Sequence, residues 1–404
     1  MIITFSAQNF RSIRDKITLD FNASSDKHLE EYFVYEIPKP KLRILRMGMI
    51  YGANASGKTN VLMALKFIQQ VALLKVDDKD KPIAYLPFAL DNEKSSTFEI
   101  EFYHEGIVYF YKVELTNERI LSESLDYYPR GRAANVFQRN YNHQKGTYQY
   151  KWTYRGYSRA VQNSLELTIR NQSILATIAS IEAQGPLQHA RDWFATNLLL
   201  TLDPKFNLNK LIMEQISNNR ISKDFILSSV KTADLMISDY DLVQVDSPMG
   251  KWVLLMIEHS GADGNFTLEL NDQSSGTQRF FGLTAFLNTL IRKPVTMPID
   301  EIDSSLHHDL VTHFLYMFLQ NSKAGQLIFT THNQSLLGEK DIARRDCIWI
   351  TERKKDGSTK LSNVWDNYPV RKEHSIESLY KKGFLGGKPF LGSIHIEVND
   401  GEKA

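Results

Sequence analysis

The segment Gly52-Ala53-Asn54-Ala55-Ser56-Gly57-Lys58-Thr59 fits G-x-x-x-x-G-K-[ST] at every fixed position. The pattern constrains a fold only when it links a strand to a helix, and its flanks supply both. Leu45 to Tyr51 is apolar enough to be a buried strand. Asn60 to Leu74 carries apolar residues at helical spacing (Val61, Leu62, Ala64, Leu65, Phe67, Ile68, Val71, Leu73). A strand, glycine loop and helix in that order form a phosphate cradle. N–H groups of the loop and of the helix start, from Asn54, Ala55, Ser56 and Gly57 through to Asn60, point at phosphate oxygens. The glycines let the backbone come close without a Cβ in the way. Lys58 is placed to neutralise β/γ oxygens, and the Thr59 hydroxyl to ligate Mg²⁺. The bland alternative, a chance glycine turn before a helix, does not explain both flanks.

Hydrolysis needs two further groups, and Val295-Thr296-Met297-Pro298-Ile299-Asp300-Glu301 offers them together. An apolar strand ending in two acids aims Asp300 at the metal and Glu301 at an attacking water as general base. Surface acids capping a strand are the alternative, and the matched phosphate loop argues against it. Pro298 removes one ladder N–H and predicts local irregularity. Gln326 to Asn333 reads as a buried strand with a polar end, where His332 is placed to reach a γ-phosphate; a satisfied core or surface histidine is the competing reading. Gln273-Ser274-Ser275-Gly276-Thr277-Gln278-Arg279 precedes a helical run from Phe280 to Leu290. It is either a plain N-cap by Ser275 or Thr277, or a second anion-ready helix start. One nucleotide needs only one cradle, so a second one makes sense if it closes on the nucleotide of another copy.

Bulk properties bound the rest. The 404 residues suffice for one large domain or two ordinary ones, and 42% hydrophobic with 24% charged residues is ordinary for a globular protein. A net charge of +1 creates no overall field that recruits nucleic acid or anionic lipid, so any nucleic-acid contact has to use a local patch. The single cysteine, Cys347, excludes a disulfide framework and a cysteine metal cluster, and reads as a buried strand residue. No stretch approaches a membrane-spanning length, and the start lacks a signal-peptide pattern, so a cytoplasmic protein with no membrane association is expected.

Along the chain, residues 1–21 read as two short strands around Asn9-Phe10-Arg11-Ser12, and 22–44 as irregular. Strands follow at Thr97 to Phe102, Ile107 to Leu115, Arg119 to Tyr128, Val136 to Tyr141 and Thr147 to Tyr154, forming an antiparallel sheet. Leu165 to Ile237 is helical in texture. Strands return at Leu242 to Val245, Trp252 to Glu258 and Phe266 to Leu270. The expected organisation is an N-terminal lobe over 1–154, a helical insertion over 155–240 and a C-terminal lobe over 241–404.

The order of these motifs resembles ABC-type ATPases of the SMC and RecF kind. It resembles more closely the compact bacterial AAA-15/AAA-21 group, which includes the OLD-family ATPase domain and the abortive-infection AbiL and RloA proteins. The stretches that carry the resemblance are Ile50 to Asn60, Ile299 to His307, Thr330-Thr331-His332-Asn333, and the tail Ser378 to Gly383 with Gly386-Gly387-Lys388-Pro389. It implies an α/β fold, an ABC-type P-loop ATPase head with a mixed sheet, an antiparallel β subdomain and an inserted helical subdomain. It further implies ATP and Mg²⁺, and a head-to-tail homodimer with two ATPs at the interface. Ser274, Ser275 and Gly276 then correspond to the signature loop, Asp303 to His307 to the loop across the interface, His332 to the switch histidine, and Arg11 to a nucleotide contact. Gln273 departs from the acid that related sequences often carry. Gln69 and Gln70, on the phosphate-loop helix, are poor candidates for the Q-loop glutamine.

Two absences narrow the reading. Residues 155–240 are too short, and too weak in heptads, for SMC coiled-coil arms. The chain beyond His332 shows no Glu-then-Asp-x-Asp set for a Toprim nuclease. The expectation is an ATPase switch that dimerises around ATP and controls a separately encoded effector, such as a nuclease, in phage defence. The alternatives are a RecF-like clamp on duplex DNA, using Arg344, Arg345, Arg353, Lys354, Lys355, Lys381, Lys382 and Lys388, and a non-hydrolysing nucleotide-dependent scaffold. Interleaved acids favour solvated charge over a DNA patch.

Overall fold

The computed structural model describes residues 1–389 apart from 40, 130, 219, 234, 248–249, 263 and 369–373. Parallel pairing requires strands buried on both faces, and Met47–Gly52 meets that condition with every residue buried. It lies in the middle of a five-stranded sheet ordered Thr296–Ile299, Gln326–Thr330, Met47–Gly52, Ile348–Arg353, Thr359–Asn363. The first four strands are mutually parallel and the last is antiparallel, so the sheet is mixed. The phosphate-loop strand is therefore flanked on both sides by segments about three hundred residues away in sequence, and the loop opens at the carboxyl ends of its parallel neighbours.

A seven-stranded antiparallel sheet forms the second layer, ordered Thr147–Trp152, Ala134–Asn142, Ile120–Tyr127, Ile107–Leu115, Ser96–His104, Ile2–Gln8, Ile17–Asp20. Ser96–His104 alternates buried and half-buried residues, the mark of a sheet with one face on a core. The two expected N-terminal strands belong to this sheet, through antiparallel pairing of Ile2–Gln8 with Ser96–His104. The helix after the phosphate loop, Lys58–Leu73, packs between the two sheets. Phe67 on this helix meets Phe10 at 5.4 Å and Phe98 at 5.0 Å between ring centroids. Gln69 on the same helix is buried and donates to the carbonyls of Phe194 and Leu198.

Short helices at Arg159–Glu166, Ile174–Ile178, Pro186–Asp192, Leu208–Ser217 and Lys223–Lys231 fill the middle of the chain. A three-stranded sheet follows: Ile237–Ser247, Gly250–Gly261 and Gly264–Glu269.

Several local expectations need correction. Residues 22–44 are not irregular throughout: Glu30–Phe33 is a helical turn, and Val34–Ile37 pairs with Leu42–Leu45 as a hairpin. The strand expected from Leu45 is split at Arg46, whose buried guanidinium donates to the carbonyls of Tyr32 and Ser322; burial lowers its pKa to about 10. Cys347 is buried but ends a 3₁₀ turn just before the strand Ile348–Arg353, and burial pushes its thiol pKa up. Pro298 is tolerated because its missing N–H points away from the Gln326–Thr330 ladder. That side faces the irregular segment Leu198–Leu202, where Leu202 N donates to Pro298 O at 3.0 Å. Arg344 is buried and paired with Asp346 at 2.8 Å, so it is no part of a basic surface. Among the described residues, no helix is long and apolar enough to cross a membrane.

The helical segment is tied to the antiparallel sheet by a buried ion pair. Glu123 accepts the Ile174 N–H and the Tyr111 hydroxyl. Arg139 lies 3.7 Å from Glu123 and donates to the carbonyls of Gln172, Thr168 and Ile169. Both side chains are fully buried, so removing one strands the other. Arg139→Met is expected to cost about 3–5 kcal/mol in chemical denaturation.

Candidate functional site

The loop needs left-handed backbone to turn from strand to helix, and Gly57 supplies it at φ 104°, as does Ala55 at φ 62°. Gly57 is also required by contact, since a Cβ there would lie 1.9 Å from Thr359 Oγ1. Lys58 folds back over the loop, its Nζ donating to Gly52 O at 2.9 Å and Ala53 O at 3.1 Å. Burial lowers its pKa, opposed by the fields of Glu301, Asp300 and Asp303. Thr59 Oγ1 donates to Asp300 Oδ2 at 2.9 Å.

The carboxyl end of Thr296–Ile299 delivers the acids. Asp300 is buried, and its second oxygen accepts Thr330 Oγ1 at 2.6 Å. Glu301 sits at φ 49°, a left-handed conformation that costs a non-glycine residue about 1–3 kcal/mol. Three contacts hold it there. Its N–H donates to Thr330 Oγ1 at 2.8 Å, and its carbonyl accepts Ser304 N at 2.9 Å and approaches Arg279 at 3.5 Å. The turn leaves the carboxylate about 42% exposed to the cleft. His332, two residues past the strand Gln326–Thr330, places Nε2 3.7 Å from Glu301 Oε1 and Nδ1 3.4 Å from Lys58 Nζ. With the lysine as donor to Nδ1, the imidazole proton sits on Nε2 and faces Glu301.

These groups line one cleft of about 530 Å³, with Asn54, Ala55, Gly57, Lys58, Thr59, Asn60, Glu301 and His332 all on its wall. That volume lies within the range of small-ligand sites. Ser56 is placed differently: its hydroxyl is buried against Thr351 Oγ1 at 2.6 Å and its N–H donates to Ala53 O at 3.2 Å. Arg11 does not line this cleft. It borders an adjacent groove with Met63, Lys66 and Leu86. Ser274, Ser275 and Gly276 also lie elsewhere. Ser274, rather than Ser275 or Thr277, caps the helix Ser275–Arg292, accepting Thr277 N at 3.1 Å. Ser274 and Ser275 are exposed, and Ser275 borders a separate cleft with Arg279, Ser304 and Ser305. Gly276 is needed there by close approach, since a Cβ would meet Ser305 O at 2.9 Å.

The fit to Mg²⁺ follows from the donor set. Thr59 hydroxyl and Asp300 carboxylate are hydrogen-bonded to each other, and both are oxygen donors of the kind Mg²⁺ takes. Among the described residues, no group of three or more His, Cys, Asp or Glu could hold a metal alone. Mg²⁺ that arrives with substrate phosphates keeps several waters and needs one or two protein ligands.

Sequence reading missed four residues. Ser12 and Arg353 line the cleft. Thr330 binds Asp300 and Glu301 at once. Arg279 is a buried cation under Glu301, its pKa lowered by burial and raised by Asp203, Glu301 and Asp303. Ser12, Thr330 and Arg279 stood inside quoted motifs without being singled out; Arg353 gave no local signal beyond charge.

Residues 49–338 match the AAA_21 family, described as "AAA domain, putative AbiEii toxin, Type IV TA system". The chain belongs to this family, and its strand, phosphate loop and helix sit on a mixed sheet. No curated protein matches. Solved structures with similarity include an SMC head bound to the C-terminal winged-helix domain of ScpA (14% identity, 89% of this chain, 97% of the other, TM-score 0.47). Others are the SMC head domain from Thermotoga maritima (16%, 90%, 98%, 0.44) and a Pyrococcus furiosus-derived SMC head with an extended coiled coil, bound to the C-terminal domain of ScpA (13%, 94%, 98%, 0.44).

Thr330→Val leaves a buried carboxylate oxygen and the Glu301 N–H without their partner. It is expected to cost about 1–3 kcal/mol in thermal or chemical unfolding, with Thr330→Ser recovering most of it.

Proposed function

We propose that this protein binds ATP with Mg²⁺ and hydrolyses it. The observation that carries the reading is the convergence of Lys58, Thr59, Glu301 and His332 in one cleft, with Asp300 buried directly behind Thr59. The loop N–H groups and Lys58 take the phosphate chain. Thr59 and Asp300 would hold Mg²⁺, which when bound neutralises charge on the β- and γ-phosphates. Glu301, exposed and backbone-locked, accepts the proton of the attacking water, and the His332 Nε2–H faces the same point.

The reading extends to a head-to-tail homodimer. Ser274 and Ser275 are exposed and lie outside the cleft of their own chain, as a signature loop serving another copy would. ATP that touches both halves only when they are closed shifts a two-state equilibrium toward the dimer. Glu301 then times release. Control of a separately encoded effector, such as a nuclease, in bacterial phage defence is in keeping with a family described by a toxin–antitoxin system. A likeness to the abortive-infection AbiL and RloA proteins, read from the motifs, is part of the same proposal. A cytoplasmic location accords with this role. The division of the chain into 1–154, 155–240 and 241–404 belongs to the same proposal, with Met47–Gly52 of the first lobe completing the sheet of the third.

The duplex-clamping alternative draws less support, because Arg344 is buried and Lys354 and Lys381 pair with Asp15 and Glu377.

Lys58→Ala is expected to weaken ATP binding about 100-fold by calorimetry. Glu301→Gln is expected to keep ATP, lower turnover by about 10²–10⁴-fold, and accumulate dimer by light scattering under ATP and Mg²⁺. Unchanged turnover would remove Glu301 from the role of base, and a monomer under saturating nucleotide would remove the dimer.

A further inference from the structure

The cleft has a third wall that neither motif supplies: the hairpin of Ile348–Arg353 and Thr359–Asn363. Hydroxyls lock it to the phosphate loop. Thr351 Oγ1 meets Ser56 Oγ at 2.6 Å and donates to Tyr51 O at 3.0 Å. Thr359 Oγ1 donates to Ser56 O at 2.9 Å and lies 2.7 Å from Ser12 Oγ, which in turn accepts Asn60 Nδ2 at 2.7 Å. Arg353 stands opposite Thr359 in the register. It shares a strand face with Thr351, two residues earlier, so it projects on the side of the loop.

Two charges of the hairpin turn, Lys354 and Asp356, are paired elsewhere. Lys354 binds Asp15 at 2.6 Å, and Arg14 binds Asp356 at 3.0 Å, which fastens the turn to residues 11–15. The Arg353 guanidinium makes no hydrogen bond or ion pair among the described residues, and the residue is exposed and lines the cleft with Ser12, Asn60 and Gly357. Gly357, at φ 82°, leaves the guanidinium room: a Cβ there would lie 3.7 Å from its nitrogen.

We propose that Arg353 is a nucleotide-binding residue that grips the phosphate chain from the side opposite Lys58. The structure presents a planar, always-charged fork at the mouth of a phosphate cradle, on a strand held in place by the cradle's own residues. A solvated surface arginine would not require a hairpin stapled to the loop on both sides. The inference rests on the nucleotide reading above and assigns Arg353 to substrate rather than to a basic patch for DNA.

The test is calorimetry on the full chain with MgADP, which reports binding within one copy. Arg353→Ala is expected to raise the ADP dissociation constant about tenfold, the scale of one charge-assisted contact at a partly solvated site. Arg353→Lys is expected to recover part of that loss, since it keeps charge but not the fork. Raising the salt should narrow the difference between wild type and Arg353→Ala. The melting temperature without nucleotide should stay unchanged, because the side chain has no partner to lose. ADP affinity within twofold of wild type in Arg353→Ala, while Lys58→Ala strongly weakens binding, overturns the assignment. Full affinity in both variants overturns instead the nucleotide reading beneath it.

Discussion

The hydrogen bond from Thr59 Oγ1 to Asp300 Oδ2 spans 241 positions of sequence and joins the two ends of the site. One partner opens the helix after the phosphate loop, and the other closes the strand that carries the acids. The bond exists because Gln326–Thr330 lies between Met47–Gly52 and Thr296–Ile299, parallel to both. Thr330, at the end of that middle strand, ties Asp300 and Glu301 from the other side. The geometry of the cleft follows from this register. A slip of one residue would turn Thr330 and Asp300 to the opposite face of the sheet.

Around that link, strain and satisfaction are balanced. Glu301 occupies a left-handed conformation that its side chain does not favour, and its backbone contacts keep it there. The consequence is a carboxylate presented to the cleft while Asp300, its neighbour, stays buried. Two adjacent acids thereby acquire different surroundings, which suits two roles. Beneath them Arg279 provides a buried positive charge, connecting the start of the Ser275–Arg292 helix with the turn after Glu301. Gly276 lies against the same turn. The helix start and the turn therefore cannot move independently.

Legibility differed by residue. The phosphate loop, its strand and its helix were readable because the signal is local: glycine positions, apolar runs and a helical period. The antiparallel strands from residue 97 onward were readable for the same reason. Arg46, Arg139 and Arg344 were not readable as core residues, because charge predicts exposure and only tertiary carbonyls and acids make burial acceptable. Arg11 stood in a motif and lies in the neighbouring groove. Arg353 gave no signal beyond its charge and lies on the cleft wall. Ser56 fits the loop pattern, yet its hydroxyl serves the hairpin.

By itself the sequence determined the parts: a phosphate cradle, a strand ending in Asp300 and Glu301, a histidine beyond a buried strand, and a capped helix start at residues 274–277. These are set by contacts a few residues apart, where backbone geometry and side-chain period act directly. The tertiary structure alone decided which parts share a cleft. It brought His332 beside Lys58, put Arg353 on the wall of the same cleft and set the Ser274 loop on another surface. That choice depends on strand order and register across hundreds of residues, an energy summed over the whole core that no short window of sequence contains.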